Sequence, residues 1–280
     1  MTNKLHRRRG VLLGIVFCWS LTGGGVVHGQ EAVPAASETP PSAAVRAQPP
    51  ATPPVQRDVS WRLLPANFLH DQKDLWLFPV QLARGRHWLP TVGVVGATAG
   101  LLAADAHDAP YFRRTNNFNG FNHAFSGIDT ALEIGLVPTS FYFAGLLRED
   151  SYTQKTALLA GESVADGMVL TVVMKAVSRR LRPSDIAPQG DFSDTFFSSH
   201  KPILGAGSSF PSAHAMAAFS VATVFARRYR NHHWVPWVAY GIAGVISFSR
   251  VTLQAHFPAD VFLGAALGYS ISRFDVLRGH

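Results

Sequence analysis

Thr156–Met174 reads TALLAGESVADGMVLTVVM, a long apolar run in which Glu162 and Asp166 are the only charges. It is long enough for a helix, and residues four apart share one helical face, so the two acids point the same way. Five other stretches have the same character: Leu89–Ala104, Ala131–Leu147, Ser212–Ala226, Trp234–Ser249 and Ala259–Ile271. None sustains the period-2 alternation of a half-buried strand. The fold class is therefore all-α, a helical bundle of about six core helices, membrane-embedded or membrane-associated. Asp71–Arg84 mixes Leu75, Trp76, Leu77 and Phe78 with flanking charges and reads as an interfacial or packing helix.

Composition supports that class. Of 280 residues, 15% are charged and 47% hydrophobic, against about 25% charged in an ordinary soluble domain. The net charge of +7 suits anionic lipid, phosphate or nucleic acid alike. No long basic tract with interleaved aromatics is present, so nucleic acid is not the expected partner. Glycines at 93, 96, 100, 241, 244, 264 and 268 suit close helix packing in lipid. A spanning helix needs about 20 apolar residues, and none of the six stretches is that long and clean. Glu162 and Asp166 are costly at a bilayer centre unless they face the bundle, and they read as buried structural acids bonded to neighbouring helices.

The N-terminus reads as an export signal over residues 1–29, with Arg7, Arg8 and Arg9 ahead of the apolar run Val11–Leu21. Cys18, the single cysteine, lies inside that segment, so the mature chain has no disulfide and no cysteine-based metal site. Residues 30–58, rich in Pro and Ala, read as a disordered tether, and 59–280 as the catalytic domain. The location expected is the bacterial cell envelope, at the inner membrane with the site facing the periplasm, or else soluble in the periplasm. The two ends conflict. Six spans with the functional loops outside place the segment before Leu89 inside, where an export signal would not leave it. Arg227, Arg228 and Arg230 do fall in a loop that this arrangement puts inside.

The chemistry lies in three strings: Lys175-x6-Arg182-Pro183, Pro211-Ser212-Ala213-His214, and Ser249-Arg250-x5-His256-x3-Asp260. They collect three cations, two histidines and a carboxylate, the inventory for binding a phosphate, attacking it and protonating its leaving group. In order and internal spacing they resemble the three signature motifs of the type 2 phosphatidic acid phosphatase and vanadium haloperoxidase superfamily. Gaps of 27 residues from Pro183 to Pro211 and 34 from His214 to Ser249 leave room for a loop and for a helix pair. The resemblance covers about Thr156–Ile271. It departs at Ala213, where the family usually has glycine.

That resemblance implies a phosphate cradle of Lys175, Arg182, Ser212, Ala213 and Arg250, with the arginines donating in bidentate fashion. Ser212 falls where a helix begins and can present its hydroxyl and backbone amides to phosphate. His256 is then the nucleophile that becomes a phosphohistidine, Asp260 fixes its tautomer, and His214 is the general acid. Such a site needs no metal and no cofactor. The substrate implied is a phosphorylated lipid or a small phosphate ester, and no protein partner is inferable. A soluble envelope acid phosphatase and a vanadate-dependent haloperoxidase would share the same residues. Singly, each histidine reads as a cap or surface group. Asp105, His107 and Asp108 have metal-ligand residue types, but three polar residues after an apolar run read as a solvated loop. His232 and His233 beside Arg230 read as a basic interfacial loop, while for His70, His123 and His200 sequence does not identify the partners.

Overall fold

The computed structural model describes residues 57–125, 128–202 and 207–278, and within them the secondary structure is helical. Eight α-helices follow in order: α1 (Leu64–Ala83), α2 (Trp88–Arg114), α3 (Asn119–Ala124), α4 (Ile128–Leu147), α5 (Ser151–Ser178), α6 (Ala213–Arg228), α7 (Trp234–Thr252) and α8 (Pro258–Ile271). A π-helical turn, Ser272–Val276, ends the described chain. The six expected core helices are α2 and α4 to α8. The expected interfacial segment falls within α1. The leader, Cys18 and the tether as far as residue 56 lie outside the described residues.

Local chemistry sets the helix ends. Asp150 caps α5 by accepting from the backbone N–H of Tyr152 at 2.9 Å and of Thr153, and Pro258, which has no N–H to lose, opens α8. Arg179 ends α5 in the left-handed region at φ 45°. Among the described residues, two segments, α2 and α5 continued through Asp185, are long and apolar enough to cross a membrane. This corrects the reading that none was. The extra length of α2 comes from Asp105–Arg114, where Asp105 is buried while His107 is exposed, so the polar residues continue the helix instead of ending it.

The helices alternate in direction, and contacts at each end show it. Asn122 donates to the Thr252 carbonyl, and Phe125 accepts from Arg250, so α4 starts beside the end of α7. At the other end the Tyr152 hydroxyl donates to the Arg228 carbonyl, joining the start of α5 to the end of α6. His87, just before α2, lies 6.2 Å from the Phe274 ring, while Asp105 near the far end of α2 accepts from Ala259 N–H. Consequently the end of α5, the start of α6, the end of α7 and the start of α8 meet at one end of the bundle. Arg227, Arg228 and Arg230 lie at the opposite end, and α1 lies against α5 and the π turn.

Helix α6 is the centre, packed on α4, α5, α7 and α8. Its core side chains Met216, Val224 and Phe225 are fully buried, and Phe225 meets Phe141 of α4 edge to face at 4.5 Å. The glycine expectation divides. A Cβ on Gly264 would lie 2.4 Å from the Ser212 carbonyl oxygen, and one on Gly268 2.2 Å from that of Met216, so α8 touches α6 backbone to backbone. Gly93, Gly96, Gly100, Gly241 and Gly244 have open space around them, which corrects their assignment to tight packing within the bundle. Glu162 and Asp166 are buried as expected, the first 3.3 Å from Arg57 and the second accepting from Gln72 at 2.9 Å.

Candidate active site

Lys175 lies in the last turn of α5, buried, and donates to the carbonyl of Ser208 at 2.5 Å. Arg182 follows the helix, and its Nε is buried with no protein partner. Ser212 starts α6: its side chain accepts from Ala215 N–H at 3.4 Å, and its own N–H donates to the Asp260 carbonyl at 2.9 Å. His214, one residue into the helix, has its Nε2 buried and unpartnered. Arg250, in the last turn of α7, donates to Ser249 Oγ from Nε at 3.1 Å and from Nη2 at 2.9 Å. His256 and Asp260 complete the set from the loop before α8 and its first turn. The structure thus gathers the eight residues singled out from sequence. Charges on Arg250, Arg182 and Lys175, together with His256, all act on His214.

His256 is almost completely buried. Its Nδ1 lies 2.7 Å from the Ser209 carbonyl oxygen, and a carbonyl can only accept, so Nδ1 carries the proton and Nε2 keeps its lone pair. Asp260 Oδ2 is 3.7 Å from Nδ1, close enough to favour a positive ring but beyond a hydrogen bond. The tautomer is therefore fixed by a backbone oxygen, which adjusts the reading that Asp260 accepts this proton. Asp260 instead accepts from Phe257 N–H at 2.8 Å, from the Ser209 hydroxyl and from Arg180 at 2.6 Å. Burial pushes His256 down to about 4; Asp260 opposes the shift, and Lys175 and Arg182 add to it.

Two groups near the site escaped the sequence reading. Arg180, 2% exposed, lies inside the first string, between Lys175 and Arg182, and bridges Asp260 and Asp105. Ser208 and Ser209 carry the carbonyls that hold Lys175 and His256. Their only sequence signal is position, directly before Phe210-Pro211. Asp105 is not in a loop: it is a buried helical residue, and no group of three His, Cys, Asp or Glu among the described residues is placed to hold a metal. Arg113, at the end of α2, donates to the carbonyls of Pro183, Ile186 and Ala187 and sits 4.5 Å from the Phe192 ring, which fixes the loop after Arg182.

An apolar cavity of about 900 Å³ reaches this site. Ala213 and His214 form part of its wall, and it extends between α1, α4 and α5 to Trp61, Phe68 and Tyr142.

The PAP2 superfamily model matches residues 156–276. A lipid A 1-phosphatase of Rhizobium etli is 32% identical over 105 residues, 38% of this chain and 42% of that protein. A lipid A 1-phosphatase of Porphyromonas gingivalis is 35% identical over 69 residues, 24% of this chain and 16% of that protein. The chain thus matches less than half the length of either relative. A solved transmembrane PAP2-type phosphatidylglycerolphosphate phosphatase from Bacillus subtilis aligns over 74% of this chain and 94% of its own, at 24% identity and a TM-score of 0.40. With the three motifs folded together at one end of a helical bundle, residues 156–276 are the part of this chain that is similar to the PAP2 superfamily.

Proposed function

We propose that this chain is a phosphatase that hydrolyses a phosphate monoester or diphosphate of a lipid through a phosphohistidine on His256. The observation that carries the reading is the pair of buried, unpartnered nitrogens, Arg182 Nε and His214 Nε2, in a pocket held positive by Lys175, Arg182 and Arg250. Burying such groups unpaired costs about 1–3 kcal/mol each, so they fit a site completed by a ligand rich in acceptors. Phosphate is such a ligand, and the three cations supply the charge that a metal supplies in other phosphatases.

The chemistry follows from the tautomer. His214 takes up a proton as the bound phosphate dianion offsets the surrounding cations; His256 Nε2 then donates its lone pair to phosphorus, the ester P–O bond breaks opposite it, and His214 gives that proton to the departing alkoxide. Positive charge then rests on the His256 ring, where Ser209 holds Nδ1–H and the Asp260 carboxylate lies 3.7 Å away. Neutral His214 next takes a proton from water as its oxygen attacks phosphorus. The P–N bond breaks, phosphate leaves and both histidines return to their starting states.

A lipid is favoured over a small soluble ester because the apolar cavity ends at Ala213 and His214. Lipid A 1-phosphatase and phosphatidylglycerolphosphate phosphatase are the activities named for the relatives, so a glycosyl-1-phosphate lipid and a glycerophosphate lipid are the first substrates to try. We place the protein in the inner membrane of an exporting bacterium. Arg227, Arg228 and Arg230 face the cytoplasm and the site end faces the periplasm, as the positive-inside rule requires. In this arrangement α1 lies on the cytoplasmic side.

The test is phosphate release from lipid phosphates, lipid diphosphates and soluble esters, with labelled substrate to trap the intermediate. Turnover of a lipid phosphate with label on histidine is expected, and none in His256→Ala. Turnover of soluble esters alone refutes the lipid assignment. Full activity in His256→Ala refutes the nucleophile.

A further inference from the structure

We propose that Arg180 and Asp105 are positioning residues for His256, through which helix α2, outside the matched family region, sets the geometry of the nucleophile. The proposal rests on the phosphatase reading above. Arg180 is buried, and each of its three guanidinium nitrogens donates a hydrogen bond. Nη1 donates to Asp260 Oδ1 at 2.6 Å, Nη2 to Asp105 Oδ2 at 2.7 Å and Nε to Thr195 Oγ1 at 3.0 Å. Its faces are covered by the rings of Phe257 at 4.0 Å and Phe196 at 4.8 Å. A guanidinium so occupied leaves no fork for phosphate, which separates it from Arg182, whose Nε is unpartnered.

The bonds beyond Arg180 lead to the nucleophile. Asp260 Oδ2 accepts from the Ser209 hydroxyl and from Phe257 N–H, the residue after His256. The Ser209 carbonyl accepts Nδ1–H of His256, and Ser209 N–H donates to the Arg180 carbonyl at 2.8 Å. Asp105 holds the same assembly from the other side, because its Oδ1 accepts from Ala259 N–H at 3.2 Å in the first turn of α8. One cation thus faces two carboxylates. Asp105 draws part of the guanidinium charge from Asp260, which leaves Asp260 more negative toward the His256 ring when that ring becomes cationic. Removing Asp105 loosens the start of α8 and lets Arg180 neutralise Asp260 more fully. Both effects raise the barrier to phosphorylation, and neither acts directly on the cradle cations Lys175, Arg182 and Arg250.

Asp105→Asn and Phe196→Leu test this. The first removes the charge at nearly constant volume, and the second removes one ring from the guanidinium. Turnover of a lipid phosphate and the inhibition constant of inorganic phosphate are measured together, with thermal unfolding as a control. A misplaced reacting group costs about 10²-fold, so kcat is expected to fall by about that factor in Asp105→Asn and by less in Phe196→Leu. The inhibition constant is expected to stay within about twofold, since the cradle cations are intact, and Asp105→Glu should recover part of the loss. Wild-type kcat in a folded Asp105→Asn overturns the proposal. So does an equal weakening of phosphate binding, or loss of folding in both variants, since either makes the pair structural. Absence of phosphatase activity in the wild type is a different outcome and refutes the underlying function.

Discussion

The contact between α8 and α6 offers a perturbation whose size can be worked out from distances. A Cβ on Gly264 would sit 2.4 Å from the Ser212 carbonyl oxygen and 3.2 Å from the Ser212 carbonyl carbon. Carbon and oxygen need about 3.2 Å, so roughly 0.8 Å of separation is required between two backbones that cannot rotate away. Overpacking of this kind costs about 1–3 kcal/mol, and rigid backbone on both sides puts the cost at the upper end. Replacing a helical glycine by alanine returns about 1 kcal/mol of propensity, leaving Gly264→Ala destabilised by about 2 kcal/mol. At about 2–4 °C per kcal/mol for a chain this size, the unfolding midpoint in detergent should drop by about 4–8 °C. Ser212 starts α6 at the cradle and donates to the Asp260 carbonyl, so kcat should also fall, by up to about 10²-fold. Gly268→Ala, one turn deeper, should lose similar stability with less effect on kcat. Gly241→Ala, in open space, should be neutral or gain about 1 kcal/mol. Wild-type midpoint and turnover in Gly264→Ala refute the close approach.

Removing the general acid should discriminate between leaving groups. In His214→Ala the ratio of aryl to alkyl phosphate turnover should rise about tenfold or more, because an alkoxide needs the proton and a nitrophenolate does not; equal slowing of both, where phosphorylation limits the rate, makes His214 a binding group. The low pKa of His256 means that its neutral, nucleophilic form persists as pH falls and is lost only near pH 4. NMR titration of labelled histidine in the empty enzyme should therefore show no change at His256 between pH 8 and about pH 5, and a midpoint near 6.5 contradicts the buried tautomer. For topology, a cysteine replacing exposed Ser193 in a Cys18→Ser background should react with an impermeant maleimide from the periplasm, and one replacing Asn231 should not. The reverse pattern inverts the orientation.

Much of this architecture was legible in the sequence because the apolar stretches are long and the motif spacings are local. The six stretches became α2 and α4 to α8 with ends shifted by a few residues, except α2, which runs on through Arg114. Asp105 misled because three polar residues close together resemble a loop; on a helix they point in different directions, and only Asp105 turns inward. Arg180 was hidden for a different reason. Its neighbour Arg182 has a recognisable place in a motif, whereas the role of Arg180 depends on Asp105, 75 residues away, and no local pattern encodes that pairing. Ser209 acts through its carbonyl, which every residue has, so its identity carried no signal. The glycine list failed at five of seven positions because spacing cannot tell a glycine that faces another helix from one that faces outward.

The alternation of helix direction explains why the cations stand where they do. Two helices, α6 and α8, begin at the site, and their N-termini present positive dipole ends that favour a phosphate. The same antiparallel packing unavoidably brings the C-terminal ends of α5 and α7 to that point, and their negative ends oppose it. Lys175 lies in the last turn of α5, Arg182 just beyond it, and Arg250 in the last turn of α7. Each cradle cation is therefore carried by a helix end whose dipole disfavours the ligand, while Ser212 and His214 are carried by an end that favours it. A fold that closes a phosphate site with four antiparallel helix ends needs its fixed charges on the two that terminate there, which ties the positions of the first and third motifs to the topology as well as to the chemistry.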